Sequence, residues 1–250
     1  MKILKFIASL VLLVGIYTCY SSPSFSMAIE CYPKKAPKIS VVPSNSLIKY
    51  DFTQTKDQLN KVDVDTVSPY GPRHKTSVSG LMSGSIATKS EIAFTQEIYE
   101  NQGVACTYIQ SMDITLHIDP TIFIASEYPK GTCMHNAIMQ HELKHVREDQ
   151  LIINKYAAIL GRELSSTIDK FRQKYKPVLI SEIPALQRDI QKIIHDDLKE
   201  YNQKLNEERQ RRQQAIDSLE EYETIGKSCR GAQRKRYSYS PNTGQSSHRH

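Results

Sequence analysis

An α+β fold is what this chain predicts: a small antiparallel sheet region, then a motif-bearing helix and a long C-terminal helical hairpin. Three observations carry that expectation. Between residues 48 and 125 the apolar residues come in short, often alternating runs. From about Cys133 to Lys174 they recur at helical spacing. Beyond the Lys176-Pro177-Val178 break a second helical stripe begins.

At the N-terminus, Lys2 and Lys5 precede an apolar run from Phe6 to about Tyr17, and small residues follow at Ser26 and Ala28. This is the pattern of a secretory signal over residues 1–28, too short for a membrane span. The expected location is therefore secreted or periplasmic. In such a compartment Cys31, Cys106, Cys133 and Cys229 are expected to form disulfides. Cys133 opens the first long helix and Cys106 lies in the strand region, so a Cys106–Cys133 bridge is the expected pairing. Cys31–Cys133 is the rival, with Cys229 left free. No Cys-x-x-Cys spacing favours thiolate metal ligands.

Residues 29–47, with Pro33, Pro37 and Pro43, read as an extended lead-in. Residues 48–175 form the expected core. Its strands fall over 48–52, 85–88, 92–99, 106–110, 113–119 and 121–125, Pro120 parting the last two, and 70–74 is a loop. His74 and His117 read as ordinary surface or strand histidines. Residues 176–226 continue the hairpin, with Ser181 as N-cap and Ile183, Leu186, Ile190, Ile194, Leu198, Tyr201 and Leu205 as its stripe. No apolar residue occurs from Asn206 to Gln214; then Ile216, Leu219 and Tyr222 resume. This hairpin either packs back or projects as a coiled coil for a partner. Residues 227–250 carry six basic and no acidic residues, equal to the whole net charge of +6. The basic balance is thus a property of a disordered tail, which excludes a nucleic-acid surface on the body and suits anionic envelope polymers or lipid headgroups.

The chemistry lies in His141-Glu142-Leu143-Lys144-His145. Two histidines four apart stand one helical turn above each other, so both imidazoles reach one metal ion. Glu142 lies about 100° round the helix, placed to hold a water without being a ligand. With 8 His in 250 residues the pattern arises by chance in roughly 1–2% of such chains, so its setting must decide. On a helical projection the three residues fall within or beside the apolar sector of Ile138, Met139, Leu143, Val146, Ile152 and Tyr156. Two buried imidazoles need partners, and a metal serves both.

A strand, a loop over 127–132 and then this helix resemble the zincin metallopeptidases over about 35 residues, from Asp113 to about Gln150. The chain is also similar to small secreted bacterial proteins described as zinc-dependent proteases. The resemblance implies His141 and His145 as zinc ligands and Glu142 as the base that deprotonates water and returns the proton to the leaving amine. It further implies a peptide substrate added as a strand beside the one that precedes the helix. The metzincin pattern fails: Glu148 and Leu151 stand where its Gly and third His belong. A third ligand is then expected among Glu148, Glu163, Glu207 and Glu208. The expected function is a secreted zinc-dependent peptidase. The alternatives are a non-enzymatic envelope protein working through hairpin and tail, or a zinc-binding protein without catalysis.

Overall fold

A computed structural model describes residues 28–62, 66–68, 70, 77–172 and 175–237. All of the expected signal segment except Ala28, together with His74 and tail residues 238–250, lies outside the described residues. Seven strands and four helices follow in order: β1 (Lys38–Asn45), β2 (Lys49–Asp51), α1 (Lys56–Leu59), β3 (Gly80–Ser83), β4 (Ile86–Tyr99), β5 (Val104–Ile118), β6 (Thr121–Ile124), α2 (Cys133–Arg172), β7 (Val178–Leu179), α3 (Ile183–Ile216) and α4 (Leu219–Tyr237). The α+β class expected from the sequence is the class observed.

The strands pair in two sets, β1-β5-β4 with β7 also on β5, and β2-β6-β3. Each strand of the second set continues into one of the first: β1 into β2, β3 into β4, β5 into β6. In effect this is one three-stranded layer broken across a single line. Pro120 supplies the reason, because it has no N–H for the ladder. Around it Ser46 N–H donates to Ile118 O (2.9 Å) and Lys49 N–H to Pro120 O (3.0 Å). Opposite, Gly84 lets the chains close up, since a Cβ there would stand 3.3 Å from both Asp119 O and Pro120 Cα.

Two expectations are corrected here. The layer is mixed rather than antiparallel, because β1 runs parallel to β5 and β2 parallel to β6. The supposed lead-in therefore contains an edge strand, the kind of strand in which proline is tolerated. The four middle strand segments also merge into two long strands, β4 and β5, with a register shift at Ala93/Phe94.

One face of the layer is covered by the hairpin. Met112 and Ile114 of β5 pack with Leu160, Leu164 and Ile168 of α2 and with Ile190, Ile194 and Leu198 of α3 in one buried cluster. Side chains of this type each contribute about 1.5–3 kcal/mol on full burial. The α3 stripe is spent inside the molecule, so the hairpin lies along the sheet and does not project. Tyr156 Oη donates to Lys204 O (3.0 Å), and Thr167 Oγ1 to Asp197 Oδ2 (3.4 Å), which fixes α2 and α3 antiparallel.

α2 starts where Gly131 takes a positive φ (81°) and Thr132 Oγ1 accepts from His135 N–H (3.2 Å), as an N-cap should. At Asp217–Ser218 the third helix ends, and α4 goes on along the N-terminal half of α2. The predicted 106–133 disulfide does not form. Cys31 pairs with Cys106 and Cys133 with Cys229. Cys106 thus holds the N-terminal segment to β5, and Cys133 holds α4 to the start of α2; Cys229 is not free. The basic segment expected to be disordered is helical as far as Tyr237. Among the described residues no helix is long and apolar enough to cross a membrane.

Candidate metal centre

Helical geometry places His141 and His145 one above the other on the buried face of α2, 5% and 6% exposed. Facing them is a carboxylate that the sequence reading did not nominate. Asp217 Oδ1 lies 3.1 Å from His141 Nε2 and 3.3 Å from His145 Nε2, and the two nitrogens are 3.3 Å apart. Donor atoms 2.0–2.1 Å from one tetrahedral ion are about 3.3–3.4 Å from each other. This triangle is therefore of the size an ion such as zinc requires. Its two imidazole nitrogens and one carboxylate oxygen match the donor set of catalytic zinc sites and leave a fourth position. A buried His141–His145–Asp217 group can hold a metal ion.

The surrounding hydrogen bonds fix how each imidazole presents itself. Gln213 donates through Nε2 to His145 O (3.1 Å) and Asp149 Oδ1 (2.6 Å), so its Oε1 must accept from His145 Nδ1–H. A flipped amide would set its oxygen against two acceptors. His145 therefore carries a proton on Nδ1, which leaves Nε2 as the nitrogen that would face a metal. Asp149 is in turn gripped by Arg209 through Nε (2.8 Å) and Nη2 (3.1 Å), and Arg209 also donates to Gly84 O (3.0 Å). A chain of contacts thus joins the sheet break to the ligand. His141 Nδ1 is buried without a hydrogen bond, and Glu221 Oε1 stands 3.6 Å away. That carboxylate, also paired with Lys144, is the natural acceptor for a His141 proton when Nε2 ligates.

Glu142 is buried (4% exposed) and directed toward β3, where Met82 N–H hydrogen-bonds its carboxylate. Burial pushes its pKa up to about 7, against the pull of the two histidines. β3 approaches closely because residue 80 is glycine. A Cβ there would stand 2.2 Å from Ile138 Cγ2 and 2.7 Å from Glu142 Oε1. Tyr222 of α4 closes another side: its ring lies 5.6 Å from that of His141, and its hydroxyl donates to Asp217 Oδ1 (3.3 Å). Burial and the Asp217 charge hold the phenol above its ordinary pKa, so it stays protonated.

For Asp217, burial opposes ionisation, but hydrogen bonds from His141, His145 and Thr66 overcome it and hold the carboxyl far below its usual range. Burial likewise disfavours charged His145, yet Asp217 and Glu142 prevail and raise it above 6.5. In the metal-free protein the protonated His145–Asp217 pair thus contributes stability that is fully present below about pH 6.5. It is lost as pH rises through the higher folded-state value. A metal needs the same lone pair, so binding must release a proton and weaken on acidification. The apparent zinc Kd, titrated from pH 8 to pH 5, is expected to rise steeply once His145 protonates. A flat profile would contradict the assignment.

None of the carboxylates proposed from sequence joins the centre. Glu148 pairs with Arg212. Glu208 is taken by Lys155 (2.6 Å) and Arg212 (2.8 Å). Glu207 accepts from Gln203 (3.1 Å), and Glu163 is a partner of Tyr201. Glu163 also lies 18 residues beyond His145 on the same helix, about 27 Å along its axis. His117 bonds Ser44 and Ser46 as an ordinary strand histidine. The strand preceding the motif helix is likewise not the one a substrate could extend. β6 is paired on both sides, by β2 and β3, and β3 is the edge strand beside Glu142. Asp217, Gln213, Glu221 and Tyr222 went unseen, although the apolar-free run 206–214 was a usable signal. That run lies against the polar side of α2, where Arg209, Arg212 and Gln213 meet Asp149, Glu148 and His145.

Searches of protein-family models, of curated proteins and of solved structures find no match to this chain.

Proposed function

We propose that this chain is a secreted, zinc-dependent peptidase. The observation that carries the reading is the His141–His145–Asp217 triangle with an unliganded, buried Glu142 beside it. The same three donors suit non-haem iron, and their burial suits a purely structural metal tie. Glu142 favours hydrolysis, because a carboxylate held near neutrality next to a ligand set is what a general base needs. The two disulfides are compatible with the oxidising compartment that the N-terminal segment implies.

Zinc at this site would supply Lewis acidity for a peptide carbonyl and lower the pKa of water to about 7. The chain's own residues do the rest. Asp217, His141 and His145 would hold the ion, with Gln213 orienting His145 and Glu221 placed to accept from His141 Nδ1. A peptide laid extended along β3, whose Met82 N–H is held by Glu142, would pass beside that carboxylate. The Glu142 carboxylate takes the proton of the attacking water and returns it to the leaving amine nitrogen. Tyr222, kept as a neutral phenol, would exchange its hydrogen bond to Asp217 Oδ1 for one to the oxygen on which charge develops.

The test combines metal analysis with turnover. Purified protein should hold about one zinc per chain, and Glu142→Gln should keep that zinc while losing peptide hydrolysis by about 10²–10⁴-fold. Undiminished hydrolysis by Glu142→Gln would exclude the mechanism. Full zinc with no hydrolysis in either form would leave the structural-tie reading.

A further inference from the structure

Next to the triangle lies a cavity of about 290 Å³ whose wall includes His141, Asp217 and Tyr222. The rest of its wall is mainly apolar, with Leu81 from β3, Met134 and Ile138 from α2 and Ile225 from α4, interrupted by the neutral hydroxyls of Thr66, Ser68, Ser77 and Ser79. Among the described residues no Lys, Arg or Glu lines it. Gly226, inside helix α4, also lines the cavity. Glycine is unfavourable in a helix interior, so its presence there calls for a local reason. The structure offers one. A Cβ at residue 226 would meet nothing within 4 Å, so the missing side chain is open space on the pocket wall and not room for a packed neighbour.

We infer that this cavity is the substrate's side-chain pocket, that it takes an aliphatic residue beside the scissile bond, and that Gly226 sets its depth. This rests on the peptidase reading and adds the substrate class to it. The edge of β3 and the cavity are continuous, because Gly80 and Leu81 belong to both. A peptide lying extended beside that edge points alternate side chains to opposite faces, so one of them can enter the cavity next to His141 and Asp217. An aliphatic group loses nothing there. A Lys or Glu side chain would exchange its water for a mainly apolar wall, a few neutral hydroxyls and the Asp217 carboxylate. Discrimination therefore comes from desolvation, and the depth available comes from residue 226.

The proposal is tested on the non-hydrolysing Glu142→Gln protein, loaded with zinc, so that binding is read apart from turnover. The probes are fluorescein-labelled, end-blocked pentapeptides Ala-Ala-Xaa-Ala-Ala with Xaa as Leu, Val, Lys or Glu, and the readout is Kd by anisotropy. Leu and Val peptides should bind at least tenfold tighter than Lys and Glu peptides. Adding Gly226→Leu should abolish that preference with zinc content unchanged, and Gly226→Asp should shift it toward Lys. Equal binding of all four peptides, or an unchanged Leu preference in Gly226→Leu, would overturn the inference. The two readings fail separately. Wild-type protein that binds with this preference but cleaves nothing refutes the peptidase and keeps the pocket. Cleavage blind to Xaa refutes the pocket and keeps the peptidase.

Discussion

Asp217→Ala is expected to strip the centre of metal while leaving the fold in place. The substitution removes one of three donors, so the loss of zinc affinity should exceed the roughly 10–100-fold typical of outer hydrogen-bond partners. Folding should survive, because what remains is two imidazoles 3.3 Å apart that can be neutral, not a stranded charge. Zinc content after dialysis and the far-ultraviolet circular dichroism spectrum measure the two halves of this expectation. Glu148→Ala and Glu208→Ala make the sharp comparison. Both break ion pairs with Arg212, yet neither touches the triangle. If either of them loses zinc as Asp217→Ala does, the ligand assignment is wrong.

How much of this was legible beforehand depended on sequence distance. His141, Glu142 and His145 sit on one helix, and 3.6-residue periodicity places them without knowledge of anything else. The hairpin and its stripe were readable for the same reason: Ile190, Ile194 and Leu198 announce a buried face locally. Asp217 could not be read this way. It lies 76 residues from His141, at a helix break whose alignment with α2 is set by packing across three helices. A break also hides its function, since an Asp-Ser pair there is ordinary helix punctuation. The short Asp side chain suffices because the kink brings its backbone close. The disulfides failed for a related reason. Cys106 and Cys133 are near in sequence, but most of β5 and all of β6 separate them, and the observed partners are Cys31 and Cys229, far along the chain in either direction. The parallel β1–β5 pairing was equally invisible, because Pro43 and the small residues around it carry no strand signal strong enough to name a partner.

The second large effect concerns that same long-range closure. The Cys133–Cys229 bridge closes a loop spanning 96 residues, and loops of about that length are worth about 4.7 kcal/mol by chain entropy and 2–5 kcal/mol in practice. A Cys133→Ser/Cys229→Ser protein, kept metal-free, should therefore melt about 5–15 °C lower. The Cys31–Cys106 bridge, with a separation of 75, should cost a similar amount when removed. Metal affinity is where the two must part. α4 carries Glu221 and Tyr222 in its first turn, and Asp217 lies immediately before it. The bridge at Cys229 ties α4 to α2 at one end of their contact, and a metal at Asp217 would tie the same two helices at the other. Each link shortens the loop that the other must close, so losing the disulfide makes the metal-bound state harder to reach. Zinc Kd should rise in the Cys133/Cys229 protein and stay within about twofold of wild type in a Cys31→Ser/Cys106→Ser protein, provided both are measured well below their Tm. An equal rise in both would mean that the centre responds to global stability alone, and that α4 is held on α2 by packing without help from the bridge.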